Sequence, residues 1–464
     1  MRRILAFATL LGVLVMAMAC GGGAAGSGGQ RSFSSNPSAV FITGEDAPTP
    51  LPSVVSFFIT INSITLNNSN GSVSVLSTPT TVDFGRLVGL RSLLGFQTVA
   101  PGTYTSATFN LSNPVINWVD LGTTPPTLGT PIQGTLTVST VTVNFPQAMV
   151  VAPNGLAGLH MDFDLHDSLQ VDSSGSVTGV VNPVIFIKAV SASVPDGQIT
   201  DFTGSVVSVS SSTNSFLLQG PWGFQEKIDV DSSTQYNGSW TLGSLPAGAI
   251  VSVVGEVQGD GSILASAVEV ITTDTAFISG RLLNVNPSSG PVQTITMYIG
   301  EELPAMSGNF ALGQVVTFDV STVQTYDVCF INNWLTNFLF NNSSMVAGQR
   351  IFVGGTWASS TSTFTPDLIS LRRQGVVGTL VANSVTVNNG NAGSFQLQNN
   401  GLLGWVAQGP FTVNTNNATL FFNVSGLAGL SNAGTAPIIA GGLVLKNQTS
   451  GLPEVYAHRV IQLQ

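Results

Sequence analysis

Val54-Val55-Ser56-Phe57-Phe58-Ile59-Thr60-Ile61-Asn62-Ser63-Ile64-Thr65-Leu66 is the stretch whose reading decides the fold. It mixes β-branched and aromatic residues and alternates apolar with polar side chains, the period-2 pattern of a strand with one buried face. Tyr104 to Leu111, Gly134 to Phe145 and Val180 to Ala189 read the same way. Clusters of Gly, Pro, Asn and Ser punctuate these runs at strand-sized intervals, as in sandwiches and barrels. Helical periodicity is scarce. Phe84 to Leu94, with Leu87, Val88, Leu90, Leu93 and Leu94, is predicted as one short helix. The expected class is all-β.

Composition supports an extracytoplasmic β-protein. Charged residues make up 8% of the 464 positions, against about 25% in a typical globular chain, and Ser, Thr, Asn and Gly take their place. A hydrophobic content of 43% is ample for cores, which argues against wholesale disorder. Thirteen basic side chains face 23 acidic ones, a formal net charge of −10. An acidic balance without a basic cluster argues against nucleic acid or anionic lipid as a partner.

The N-terminus carries an address. Arg2 and Arg3 precede an apolar stretch, Ile4 to Met16, broken only by Thr9 and Gly12, and Ala17-Met18-Ala19-Cys20 follows. This is the layout of a secretory signal, too short and wrongly flanked for a stop-transfer span. The cysteine at the cleavage point resembles the bacterial lipobox, with alanine at position 17 where leucine is usual. The resemblance implies removal of residues 1–19 and lipidation of Cys20, so membrane lipid is the implied partner. Gly21 to Gly29 consists of Gly, Ala and Ser, a flexible tether, and residues 20–36 are read as lipidated cysteine plus tether. Gly21 is not the aspartate associated with inner-membrane retention, so the implied location is the outer membrane or cell surface. No second apolar run of membrane-spanning length occurs. Cys329 is the other of the two cysteines. Lying in Val328-Cys329-Phe330-Ile331, it is expected as a buried, inert thiol.

Residues 37–194 carry a series of landmarks. They begin with Ala39-Val40-Phe41-Ile42-Thr43 running into Gly44-Glu45-Asp46-Ala47-Pro48. Val55 to Leu66, Thr81-Val82-Asp83-Phe84, Pro101-Gly102-Thr103-Tyr104-Thr105 and Leu159-His160-Met161-Asp162-Phe163-Asp164-Leu165 follow. In that order they resemble the bacterial lipoprotein family catalogued as domain of unknown function 4382. The resemblance implies a β-sandwich of transthyretin-like or immunoglobulin-like type and brings no established activity with it.

The rest of the chain repeats itself. Ala247-Gly248 is followed seven residues after the glycine by Gly255, Ala347-Gly348 by Gly355, and Ala433-Gly434 by Gly441. An apolar strand lies within each interval. Each copy also opens on a strand (Gly204 to Val209, Gly280 to Val285, Gly378 to Asn383) and closes on one (Ile263 to Val270, Phe364 to Leu371, Val455 to Gln462). Glycine before and after a strand permits the turns and bends that close a small barrel. Three separate barrels are expected, at residues 198–272, 276–373 (with an insertion) and 375–464. They resemble the domain of unknown function 5666 family, a small OB-like barrel, which by analogy alone suggests oligosaccharide.

Three candidates for chemistry remain. His160, Asp162, Asp164 and His166 alternate, so on a single strand they share one face while Met161, Phe163 and Leu165 share the other. Histidine and carboxylate together can ligate a metal such as Zn²⁺. A strand nevertheless holds His160 and His166 roughly 20 Å apart, and a solvated strand face explains the same pattern. Asp229, Asp231 and Asp260 could offer oxygen to Ca²⁺, although turn chemistry accounts for Asp260-Gly261. Among the tryptophans, Trp222, in Gly220-Pro221-Trp222-Gly223-Phe224, is the expected exposed sugar platform; Trp118, Trp240, Trp334, Trp357 and Trp405 are the others. No nucleophile elbow, zinc-protease motif or phosphate loop is present. Neither catalysis nor a cofactor is expected. The expected role is structural, adhesive or ligand-presenting at the envelope, with a carbohydrate-binding or metal-dependent polysaccharide-associated module as the alternative.

Overall fold

A computed structural model describes residues 38–45, 51, 53–87, 90–120, 123, 127–192, 197–221, 223–272, 276–303, 309–329, 339–399, 409–432 and 434–463. Regular structure there is strand in several sheets, apart from short 3-10 turns and one four-residue helix, α1 (Leu165–Ser168). The signal, Cys20, the tether and Trp222 lie outside the described residues. No helix among the described residues is long and apolar enough to cross a membrane.

The N-terminal part is built on six leading strands: β1 (Ala39–Glu45), β2 (Val54–Asn68), β3 (Gly71–Leu76), β4 (Thr80–Asp83), β5 (Ser92–Thr98) and β6 (Gly102–Asp120). One sheet runs in the order Ile185–Val190, Leu156–Phe163, β1, β5. β1 lies parallel to Leu156–Phe163 and antiparallel to β5. The facing sheet runs in the order Thr140–Val151, β6, β2, β3, with β4 also on β2. Alternate residues of both sheets, among them Ile42, Met161 and Phe163 against Phe57, Ile59 and Phe109, close one apolar core. Val54 to Leu66 is the strand the alternation predicts, but its first six residues are buried on both faces and register shifts interrupt the period.

Three expectations need correction. Among its described residues Phe84 to Leu94 holds no α-helix: Phe84–Arg86 is a 3-10 turn, and Leu93 and Leu94 belong to β5. Leu94 enters the sandwich core while Leu93 packs with Phe202 and Phe216 of the next unit. Leu93 and Leu94 are buried on opposite faces of a strand, and such adjacent apolar residues cannot be told from a helix face by periodicity alone. Gly134 to Phe145 divides into Thr135–Leu136 and a longer strand, Thr140–Val151. Val180 to Ala189 divides too, because Asn182-Pro183 separates Val177–Val181 from Ile185–Val190, proline having no N–H for a ladder.

Three further sheets follow, each drawing its strands from one stretch of chain. In the first the path is Gln225–Asp229, Ser215–Gln219, Gln198–Ser210, Ile250–Val257, Ile263–Thr272, Gln235–Tyr236, and pairing of Gln225–Asp229 with Ile263–Thr272 closes it into a barrel. The third closes similarly, through Gln374–Leu380 and Ala392–Asn399. In the second the order Val315–Asp319, Thr294–Leu303, Ala276–Asn286, Arg350–Ala358, Thr363–Leu371, Thr325–Val328 repeats the same plan. The repeated glycines serve two different purposes. Gly248, Gly348 and Gly434 have φ of +88°, +91° and +62°, turns that favour residues without Cβ. Gly255 and Gly355 sit at register shifts, where a Cβ would collide with the carbonyl oxygens of Leu264 and Thr365. In the third copy Gly442, not Gly441, makes the close approach, to Tyr456.

The sheets are separate but the cores are not. Ala39, Phe41 and Phe96 of the sandwich share a cluster with Ile199, Val253 and Val268. Val55, Phe58 and Val119 pack on Leu283 and Tyr298, and Leu443 and Leu445 join the core of the second repeat.

Candidate functional site

The acidic stretch does not form one strand face. Leu156–Phe163 ends at Phe163; Asp164 caps α1, accepting from the Asp167 amide at 3.0 Å, and His166 lies in the helix. Met161, Phe163 and Leu165 are nevertheless all buried. His160 and Asp162 are carried on the strand, away from the turn. Thr43 Oγ1 lies 3.0 Å from His160 Nδ1 and Glu45 Oε2 lies 3.6 Å from its Nε2. Desolvation, helped by Arg91 and Lys188, lowers the His160 pKa to about 3. This histidine is neutral at ordinary pH and its contact with Glu45 is not an ion pair. The structure instead gathers Asp164, His166 and Asp167, with potential ligand atoms within 4.8 Å of one another. The Asp164 cap and the 3.0 Å His166–Asp167 contact account for that grouping locally.

The proposed calcium carboxylates are otherwise engaged. Lys227 Nζ stands 2.7 Å from Asp229 and 3.6 Å from Asp260, so an ammonium already occupies the place of a cation between them. Asp231 accepts from the hydroxyl and amide of Ser233, which hold its carboxyl below the usual range. Trp118 donates to the Thr130 carbonyl at 3.0 Å, and Trp357 packs edge-on to Phe310. Trp240 lines a cleft of about 300 Å³ between the first two repeats, with Thr272, Thr325, Asp367 and Leu368.

Two arrangements were not legible in the sequence. The first is an ionic hub. The described residues include seven arginines, at positions 86, 91, 281, 350, 372, 373 and 459, and all gather where the four units meet. Arg86 Nη1 lies 3.1 Å from Glu301 Oε1, and Arg350 Nη2 lies 3.7 Å from Oε2 of the same side chain. Arg372 donates to Glu269 at 2.7 Å and lies 4.3 Å over the Phe352 ring, on which Arg350 also rests at 5.2 Å. Arg372 and Arg373 border a cavity of about 10 Å³ with Glu269, Thr200 and Cys329, room for roughly one water. The Cys329 thiol is buried. Burial holds Arg459 down to about 10, with Glu45 acting in the opposite sense and Arg91 and Arg373 adding to the lowering.

Asp83 is the titratable member of the hub. It is 3% exposed and accepts from the Phe57 amide at 3.1 Å and the Tyr298 hydroxyl at 3.2 Å. Desolvation raises its pKa from 3.8 to about 6, against the opposing pull of these bonds, Arg86 and Arg281. A carboxyl whose folded pKa is raised holds its proton more tightly in the folded state. Its stabilisation is present below pH 4 and is lost as pH rises through about 6. Asp83→Asn should therefore gain on the wild type between pH 4 and pH 7, by on the order of 2–3 kcal/mol. Urea midpoints of both proteins at the two pH values check this. A difference that stays constant with pH would contradict the assignment.

The second arrangement is a polar grid on the outer face of the β2–β6 sheet. Three cross-strand rows are complete: Ser72–Asn67–Ser106–Asn144, then Ser74–Thr65–Thr108–Thr142, then Ser63–Asn110–Thr140. Hydrogen bonds within the face orient them. Asn67 Nδ2 donates to Ser106 at 3.1 Å and Thr108 at 3.0 Å. Thr108 and Thr142 are 2.9 Å apart, Asn110 donates to Ser63 at 2.8 Å, and Thr140 donates to Asn110 at 2.9 Å. No member of these rows is charged. At its other end the same face carries Phe58, Val115 and Asn117, which the second repeat covers.

No curated protein matches the chain. Residues 40–178, which hold most strands of the sandwich and all of its polar grid, match the family model described as domain of unknown function (DUF4382).

Proposed function

We propose that the mature protein is a lipid-anchored, non-catalytic envelope protein that presents binding surfaces away from the membrane. The carrying observation is how its few charges are distributed. The described arginines lie in an internal hub that ties sandwich and repeats together, while the open face of the sandwich is uncharged. Such a body, on a Gly/Ala/Ser tether behind Cys20, suits adhesion or ligand presentation at the outer membrane or cell surface. On this reading the sandwich is of transthyretin-like or immunoglobulin-like type, and the repeats are OB-like barrels related to the domain of unknown function 5666 family.

The anchor is tested directly. Wild-type protein should partition into detergent and show an intact mass that begins at an acylated Cys20. Cys20→Ser should leave the precursor unprocessed and mislocalised. A mature wild-type chain without acyl groups would sink the proposal. A second reading, carbohydrate binding, is favoured by the Trp240 cleft, whose indole, hydroxyls and carboxylate are the groups that hold a sugar ring.

A further inference from the structure

We infer that the polar grid of the sandwich binds an extended, uncharged polysaccharide. The inference deepens the carbohydrate reading and assigns it to a place other than the Trp240 cleft.

Three features carry it. The first is charge. In a chain of net charge −10, the three rows hold only Ser, Thr and Asn over four strands. A face without formal charge neither attracts nor pays desolvation for an ionic partner, so it matches a neutral polyol and not an acidic or basic polymer. The second is hydrogen-bonding inventory. Each hydroxyl has one donor and two acceptor sites, and each amide has two of both. The bonds within the face use part of that capacity, and Thr140, Thr142 and Asn144 stand exposed to solvent. Sugar hydroxyls need the same mixture of donors and acceptors. The third is preorganisation. The mutual bonds of Asn67, Thr108, Thr142, Asn110 and Thr140 already fix the side chains, so binding orders little that was free.

Geometry sets the form of the ligand. Adjacent strands lie about 4.8 Å apart, close to the advance of one residue in an extended pyranose chain. A polymer lying across the strands along Ser74, Thr65, Thr108 and Thr142 meets one side chain per sugar. The grid also continues an interface. The second repeat covers this face at Phe58 and Asn117, Asn117 donating to the Gly313 carbonyl at 3.0 Å. Beyond that end Thr140, Thr142 and Asn144 are exposed.

The test is affinity electrophoresis of the full mature chain through gels containing hydroxyethyl cellulose, dextran or alginate. The expected result is retardation by at least one of the neutral polymers and none by alginate. Thr142→Glu and Asn144→Asp, both on an exposed edge strand, should weaken that retardation at least tenfold with melting unchanged; Thr142→Ser should keep it. Loss of binding in Trp240→Ala with full binding in Thr142→Glu would overturn the inference and leave the carbohydrate reading in the cleft. Retardation by alginate alone, or by none of the polymers, overturns it as well, and so does self-association of the chain that Thr142→Glu abolishes.

Discussion

Glu301→Gln should destabilise the protein by about 3–5 kcal/mol, the cost of removing one partner from a buried ion pair. Glu301 is 5% exposed and accepts from the Ser279 hydroxyl at 2.7 Å. Its two oxygens face Arg86 and Arg350 at 3.1 and 3.7 Å. An amide in its place keeps the shape but removes the carboxylate charge that faces both guanidiniums, beside the equally buried Arg281. Replacing a whole buried ion group with packed apolar residues is commonly mild by comparison. A severe Glu301→Gln effect thus reports under-compensated buried cations and not a large net gain from the pair. Arg86 belongs to the sandwich, whereas Glu301 and Arg350 belong to the second repeat, so the loss should also loosen the joint between them. Urea unfolding followed by tryptophan fluorescence measures the first effect, and protease accessibility of the folded chain the second. A midpoint equivalent to less than about 1 kcal/mol of change would show that the hub is incidental.

Phe163→Ala is expected to cost about 3–5 kcal/mol through lost burial and the cavity left behind. Phe163 is fully buried, with ring centroids 5.3 Å from Phe57 and 5.1 Å from Phe84. These three rings come from different parts of the sandwich, and strands cannot easily collapse into a hole that both sheets line. Phe163→Leu, which fills most of the volume, should lose far less. The comparison is made by chemical denaturation of both variants against wild type. Equal stability of Phe163→Ala and wild type would refute the packing account.

The all-β class and the repeated plan of the last three sheets follow from local rules, and these the sequence determined by itself. Period-2 alternation places Phe57, Ile59 and Ile61 inward, while the register shift after Ile61 carries Ile64 and Leu66 to the same face. The glycines at 248 and 348 demand turns that few other residues adopt. Burial of Met161, Phe163 and Leu165 was legible for the same reason, even though the chain changes from strand to helix at Asp164. That change was not legible, because a carboxylate cap competes with strand pairing only through a local bond to the Asp167 amide.

Tertiary structure alone decided three things. It covered β5 on both faces, so that Leu93 and Leu94, the end of a helix-like run, are buried on opposite sides of a strand. It gathered arginines between 86 and 459 around Asp83, Glu269 and Glu301, a meeting of residues too distant in sequence for any motif to announce. It also laid Ser, Thr and Asn from β2, β3, β6 and Thr140–Val151 into registered rows. Each strand alone shows only that alternate residues are polar. Pairing register decides whether those residues scatter or form one uncharged surface, because register is set by which strands meet and at which bulge.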